Sequence, residues 1–171
     1  MMQMLVAGGM TALTDLERKP DVDNPRGYFE WEPVKRLANE PNLIDQAEGR
    51  VVKIISQLVL SVPAGRTYKL IFMERPLPEV LASQDEMLRR RGKDASADPI
   101  VITDAFRNHL REVMDWLEAR DDIPVCRVGY RKLVRAPLDT AQAVRDFLGL
   151  DLNPDEMARQ VDPALYRNRR S

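Results

Sequence analysis

The fold of this chain is decided by residues 70–83, which read LIFMERPLPEVLAS. The apolar run Leu70–Met73 is typical of a buried strand, and Pro76 suits the opening turn of a helix that Gly92 ends. A strand followed at once by a helix is the repeating unit of an α/β fold with a parallel sheet. Arg75 lies at the junction, and in such sheets the carboxyl ends of the strands face the ligand crevice.

Two further apolar, β-branched segments predict strands at Val51–Ser56 and Val125–Val128. Helical patterns lie between the three predicted strands, which is the alternation expected of a parallel sheet with helical crossovers. No linker, repeat or low-complexity tract interrupts the sequence, so residues 1–171 are predicted to form one domain. The predicted helices are residues 1–7, 32–37, 76–91, 98–120, 137–149 and a short helix after Asn153.

The composition excludes several classes of protein. Hydrophobic residues make up 44% of the chain and charged residues 31%, which is typical of a soluble globular protein. The net charge of −1 gives no reason to expect a nucleic acid or an acidic membrane as partner. A single cysteine, Cys126, excludes an internal disulfide and fits a reducing, cytoplasmic location. With one histidine, His109, the chain cannot assemble a Cys/His zinc site, and no metal is expected.

Arg75 and Ser83 are the first candidate binding residues. A guanidinium at a strand tip offers a rigid, permanently charged fork that suits phosphate oxygens. Ser83 lies about two turns into the following helix and can add a hydroxyl donor to the same anion. The structural alternative is an arginine in an ion pair and a serine on a solvated helix face, and the spacing alone leaves both interpretations open.

Residues 70–83 resemble the segment by which sulfotransferases bind the 3′-phosphate of 3′-phosphoadenosine 5′-phosphosulfate. In that resemblance Arg75 and Ser83 fall on the two positions that contact the phosphate. Residues 24–30, NPRGYFE, are similar to the segment of bacterial sulfotransferase-like proteins that enters the acceptor pocket. The resemblance makes Glu30 the first candidate for the base that takes the acceptor proton. Glu32 is the second candidate, although an ordinary acid in a first helical turn is the preferred interpretation for it.

Residues 49–56, GRVVKIIS, are similar to the second core strand of the same family. The resemblance implies that Lys53 stabilises charge on the bridging oxygen as the sulfuryl group departs. Cytosolic sulfotransferases of animals and plants carry a catalytic histidine two residues further on, where this chain has Ile55. Any base is therefore expected to be a carboxylate, and His109 is expected to be a surface or packing residue.

Both ends of the chain also bear on the resemblance. Residues 1–7 look like the helix that follows the family's phosphate-cradling loop, so the first strand and that loop are expected to be missing. Weak cofactor binding, little or no transferase activity, and an exposed sheet edge that is open to a protein partner are the expected consequences. The basic run Tyr166–Arg170 has two interpretations: it lies near the nucleotide, or it is a solvated tail. The solvated tail is the preferred interpretation.

Taken together, the resemblance implies a three-layer parallel sheet with flanking helices, the P-loop-type sulfotransferase fold, without its first strand. It implies transfer of a sulfuryl group to a hydroxyl or amine of a small molecule, glycan or peptide. Two alternatives stay open: a P-loop nucleotide kinase-like protein, and a non-catalytic module that binds a protein at the sheet edge.

Overall fold

The computed structural model describes residues 1–15, 20–21, 24, 27–90, 92 and 99–166. This part of the chain is an α/β structure in which helices predominate and two parallel strands form a small sheet. Short 3₁₀ helices cover Glu32–Arg36, Pro41–Ala47 and Pro163–Leu165. The remaining elements are α1 (Met2–Ala7), α2 (Ser56–Val59), β1 (Leu70–Glu74), α3 (Leu77–Arg90), α4 (Pro99–Glu118), β2 (Val125–Gly129), α5 (Tyr130–Arg135), α6 (Pro137–Leu148) and α7 (Pro154–Arg159).

The two strands confirm two of the three predicted strands. β1 and β2 pair in parallel, with Leu70 opposite Val125 and Glu74 opposite Gly129. Both segments are rich in β-branched and other apolar residues that suit a pleated, largely buried surface. The chain between them includes α3 and α4, which supplies the crossover that a parallel pair requires.

The predicted strand Val51–Ser56 is wrong. Val51 forms a single isolated parallel bridge with Ala12, and Ser56 is already the first residue of α2. The Val51 amide donates to the Thr11 carbonyl at 2.9 Å, and the Val51 carbonyl accepts from the Leu13 amide at 2.8 Å. A strand requires a continuous ladder of such bonds, and within the described residues this one stops after a single position.

The helix boundaries follow the signals in the sequence closely. α3 begins after Pro76, and Gly92 beyond its end has φ +64°, a left-handed conformation that favours glycine. Gly149 ends α6 in the same conformation, with φ +65°. The Asn153 side chain caps α7 by accepting from the amides of Asp155 and Glu156 at 3.1 Å.

The core consists of three apolar clusters that cover the sheet and the N-terminal loops. One joins α1, β2, α6 and α7 and contains Met4, Leu5, Val128, Ala141, Val144, Leu148 and Met157. A second surrounds Val113 and Leu117 of α4 and takes in the partly buried Leu70 and Phe72 of β1. A third packs Trp31, Val34, Leu37 and Ile44 together beside the two longer 3₁₀ helices.

Replacing Gly8 by alanine is expected to lower the free energy of unfolding by about 1–3 kcal/mol, because the added methyl would overpack the core. A Cβ at Gly8 would lie 2.6 Å from Cγ of Met157, a side chain with no exposed surface. Gly129→Ala is the matched control, since a Cβ there meets nothing within 4 Å. Urea unfolding of the two variants measures the difference, and equal stabilities would contradict the predicted close contact.

Candidate functional site

A large cavity runs along β1. Its volume is about 1480 Å³, and two unbroken stretches of the chain, residues 47–57 and 66–77, line it. Apolar side chains of α1 and α4 also line it, among them Met2, Leu5, Phe106, Leu110 and Met114. The cavity therefore contacts every residue of β1 and the residues just beyond its carboxyl end.

A buried carboxylate holds the residues at the carboxyl end of β1. Glu79, in the first turn of α3, has no exposed surface and accepts hydrogen bonds from three side chains. The Arg75 Nε donates at 3.2 Å, Arg131 Nη2 at 2.5 Å, and the Tyr166 hydroxyl at 2.7 and 2.8 Å to the two carboxylate oxygens. This network joins α3, α5 and the segment after α7 around one negative charge.

The pKa of the Glu79 carboxyl is strongly shifted. Burial by itself would raise this pKa, because it penalises the charged form. The hydrogen bonds from Tyr166, Arg131 and Arg75 outweigh burial and lower the pKa from 4.5 to about 2. Glu79 is therefore ionised at neutral pH, and the two arginines are its counter-ions.

Arg75 packs against two aromatic rings. Its guanidinium carbon lies 5.3 Å from the centre of the Tyr130 ring and 5.5 Å from that of Tyr166. The two rings meet edge to face, with their centres 5.1 Å apart. Only Nε bonds to Glu79; the terminal nitrogens form no hydrogen bond with another described residue. Arg75 lines the cavity, so its fork remains available to an anion there.

Lys53 and Glu30 form a second charged pair. The Lys53 ammonium lies 3.8 Å from Oε1 of Glu30 and donates to the Tyr28 carbonyl at 2.9 Å. The Glu30 backbone is held in place, because its carbonyl accepts from the Thr14 hydroxyl at 2.8 Å and from the Asp15 amide at 3.1 Å. Both charged side chains are about one-third exposed, so water or a ligand can reach them.

The structure brings the predicted site residues together in part. Lys53 and Arg75 line the same cavity, and Glu30 adjoins it through Lys53. Ser83 is half-buried on the side of α3 that carries Glu79, one turn further on, but it is not among the lining residues. Its hydroxyl forms no hydrogen bond with another described residue, and nothing joins it directly to Arg75.

The other candidates have ordinary surroundings. Glu32 pairs with Lys35 at 2.7 Å on the surface, which fits the interpretation of a first-turn helix acid. The ring of His109 is half-buried, with Nε2 2.9 Å from the Ser56 hydroxyl, so it is a packing residue of α4. Pro25 and Arg26 of the 24–30 segment, and residues 167–170 of the basic C-terminal run, lie outside the described residues.

The Glu79 network contains residues of the candidate site that were not predicted from the sequence. Glu79 stands four residues after Arg75, just inside the predicted helix, and this spacing of opposite charges was a usable signal. Arg131 and Tyr166 gave no such signal, since they lie 52 and 87 residues from Glu79 along the chain. Only the tertiary fold brings them to the same carboxylate.

Comparison of the chain with protein-family models, curated proteins and solved structures returns no match. Within the described residues, no three His, Cys, Asp or Glu side chains are grouped so that they could hold a metal ion. No helix of the described segments has the length and apolar character needed to cross a bilayer. The function is therefore inferred from the cavity and its charged groups.

Proposed function

We propose that this chain is a cytoplasmic sulfotransferase-like protein with a P-loop-type, three-layer α/β fold. Its reaction would be the transfer of a sulfuryl group from 3′-phosphoadenosine 5′-phosphosulfate to a hydroxyl or amine of a small molecule, glycan or peptide. One observation carries the proposal: Lys53 and Arg75 line the same cavity, and the carboxylate of Glu30 lies 3.8 Å from Lys53. A cation for the nucleotide, a cation for the leaving oxygen and a carboxylate base are three of the groups that this reaction uses.

The proposed chemistry uses each of these groups once. Glu30 takes the proton of the acceptor hydroxyl or amine as the acceptor atom forms its bond to sulfur. The bond between sulfur and the bridging oxygen of the donor breaks, and that oxygen keeps the electron pair. The Lys53 ammonium stabilises the charge that develops there, so the nucleotide leaves as 3′-phosphoadenosine 5′-phosphate.

Arg75 is proposed to bind the 3′-phosphate through its terminal nitrogens. Glu79 holds Nε of the same guanidinium, and the rings of Tyr130 and Tyr166 restrict its orientation. A pre-oriented arginine loses little conformational entropy when it binds an oxyanion, which favours this role over that of a mobile surface cation. Ser83 is proposed as a second contact to the same phosphate.

The test is a titration of the full chain with 3′-phosphoadenosine 5′-phosphate, followed by thermal unfolding. We expect weak, saturable stabilisation and an affinity at least about tenfold lower in Arg75→Ala, since a hydrogen bond to a charged group contributes about 1.5–3 kcal/mol. Arg66→Ala is the matched control, because Arg66 lines the same cavity and is paired with Asp45.

Two outcomes would contradict the proposal. A well-folded chain that the nucleotide does not stabilise would exclude this donor. Equal stabilisation by adenosine 5′-phosphate, which lacks the 3′-phosphate, would instead favour a nucleotide kinase-like protein.

A further inference from the structure

The cavity lies along an edge of the sheet. Side chains of a strand point alternately to opposite faces, so a pocket on one face is lined by every second residue. Here every residue from Leu70 to Glu74 lines the cavity, together with the unbroken stretch 47–57. This pattern indicates a slot that runs beside β1 along the whole length of the strand.

The backbone of β1 offers free hydrogen-bonding groups to this slot. The Leu70 amide donates to the Pro124 carbonyl at 2.9 Å, so the Leu70 backbone faces β2. Because successive residues of a strand bond to opposite neighbours, the amide and carbonyl groups of Ile71 and Met73 face the slot. Neither residue has a backbone partner on that side among the described residues.

Both faces of the slot are apolar. Leu70 and Phe72 pack with the Val113 cluster of α4, whereas Ile71 packs with the Met4 cluster of α1. Since adjacent residues of β1 point to opposite faces, these two clusters cover opposite sides of the sheet. An occupant of the slot would therefore need apolar side chains on both of its faces, as a central strand does.

The size and the charge of the cavity further restrict the kind of occupant that it can hold. Small-molecule sites have volumes of about 300–1,000 Å³, and at about 1480 Å³ this cavity is larger. Seven arginines and lysines and three carboxylates are among its lining residues. Glu30 and Glu79, which are not lining residues, pair with Lys53, Arg75 and Arg131, so seven cations face five carboxylates. The excess of cations favours an occupant that carries acidic residues next to its apolar part.

We infer that this slot binds an extended apolar segment of a partner protein, flanked by acidic residues, which pairs with Ile71 and Met73 of β1. The mode is strand addition, in which main-chain hydrogen bonds give affinity and the alternating side-chain pockets give specificity. The inference does not rest on sulfuryl transfer, because the Ile71 and Met73 backbones take no part in the proposed nucleotide contacts.

The test uses the isotopically labelled full chain and a synthetic peptide of about five consecutive valines and isoleucines, an ordinary strand length, with glutamates at both ends. At saturation we expect amide exchange of Ile71 and Met73 to slow at least about tenfold. The amide of the exposed Asp155 in α7, which does not line the cavity, should not change. A peptide with a central proline should not protect either amide, because proline cannot continue the ladder.

Three results would overturn the inference. The first is an acidic peptide that does not bind, or that binds without protecting Ile71 and Met73. The second is equal binding by the same peptide with lysines in place of the glutamates, which would remove the charge argument. The third is protection in the free chain that rises with its concentration, which would show that a second copy occupies the slot.

Discussion

Replacing Glu79 by glutamine is expected to lower the free energy of unfolding by about 3–5 kcal/mol, the usual cost of breaking a buried ion pair by removing one partner. The substitution keeps the size of the side chain but removes the charge that Arg75 and Arg131 share. Tyr166 loses its charged acceptor as well, since its hydroxyl donates to this carboxylate. Equilibrium unfolding in urea measures the loss.

Glu86→Gln is the matched control for Glu79→Gln. Glu86 lies two turns further along the same helix and pairs with Arg90 at 2.7 Å, with 43% of its side chain exposed. An exposed pair of this spacing contributes only about 0.3–0.5 kcal/mol. If the two substitutions lowered the free energy of unfolding equally, the charge of Glu79 would not be what stabilises the network.

The pH dependence gives a second readout for the same variant. The pKa of Glu79 is about 2 in the folded chain and 4.5 when unperturbed, so its ionised form stabilises the fold. This contribution is fully present above pH 4.5 and is lost as the pH falls towards 2. The stability difference between the unmodified chain and Glu79→Gln should therefore narrow across that window. A constant difference would contradict the lowered pKa.

Replacing Glu30 by glutamine is expected to slow sulfuryl transfer about 10²–10⁴-fold, the usual contribution of a general base. Glutamine keeps the shape of the side chain but cannot accept the acceptor proton, and it also removes the partner of Lys53. Transfer of labelled sulfuryl from 3′-phosphoadenosine 5′-phosphosulfate to a phenolic acceptor measures the rate in a single turnover. The affinity for 3′-phosphoadenosine 5′-phosphate should stay nearly unchanged, because Arg75 is intact.

Glu32→Gln is the control for the role of Glu30. Glu32 is the neighbouring acid in the same segment, but its carboxylate pairs with the exposed Lys35. We expect this variant to transfer at the rate of the unmodified chain. If Glu30→Gln transferred at the rate of the unmodified chain, Glu30 would be excluded as the base. Loss of transfer in both variants would point to damage to the shared segment.

Local elements were well predicted because their signals lie within a few residues. Leu70–Glu74 and Val125–Gly129 form strands as their β-branched composition predicts, and Gly149 ends α6 as predicted. Val51–Ser56 has equally strong strand composition but forms one isolated bridge. Strand propensity describes a residue's fit to a pleated surface, whereas a strand exists only where a neighbour supplies its hydrogen bonds.

The charged groups show the same difference between short-range and long-range relations. The sequence by itself determined where α3 begins, that Arg75 stands at the tip of a strand, and that Glu79 follows it at helical spacing, because these are short-range relations. Only the tertiary structure decided that Glu79 is buried, that Arg131 and Tyr166 reach it, and that a slot adjoins β1. Contacts between residues far apart in the chain depend on how whole elements pack, and no local pattern encodes that packing.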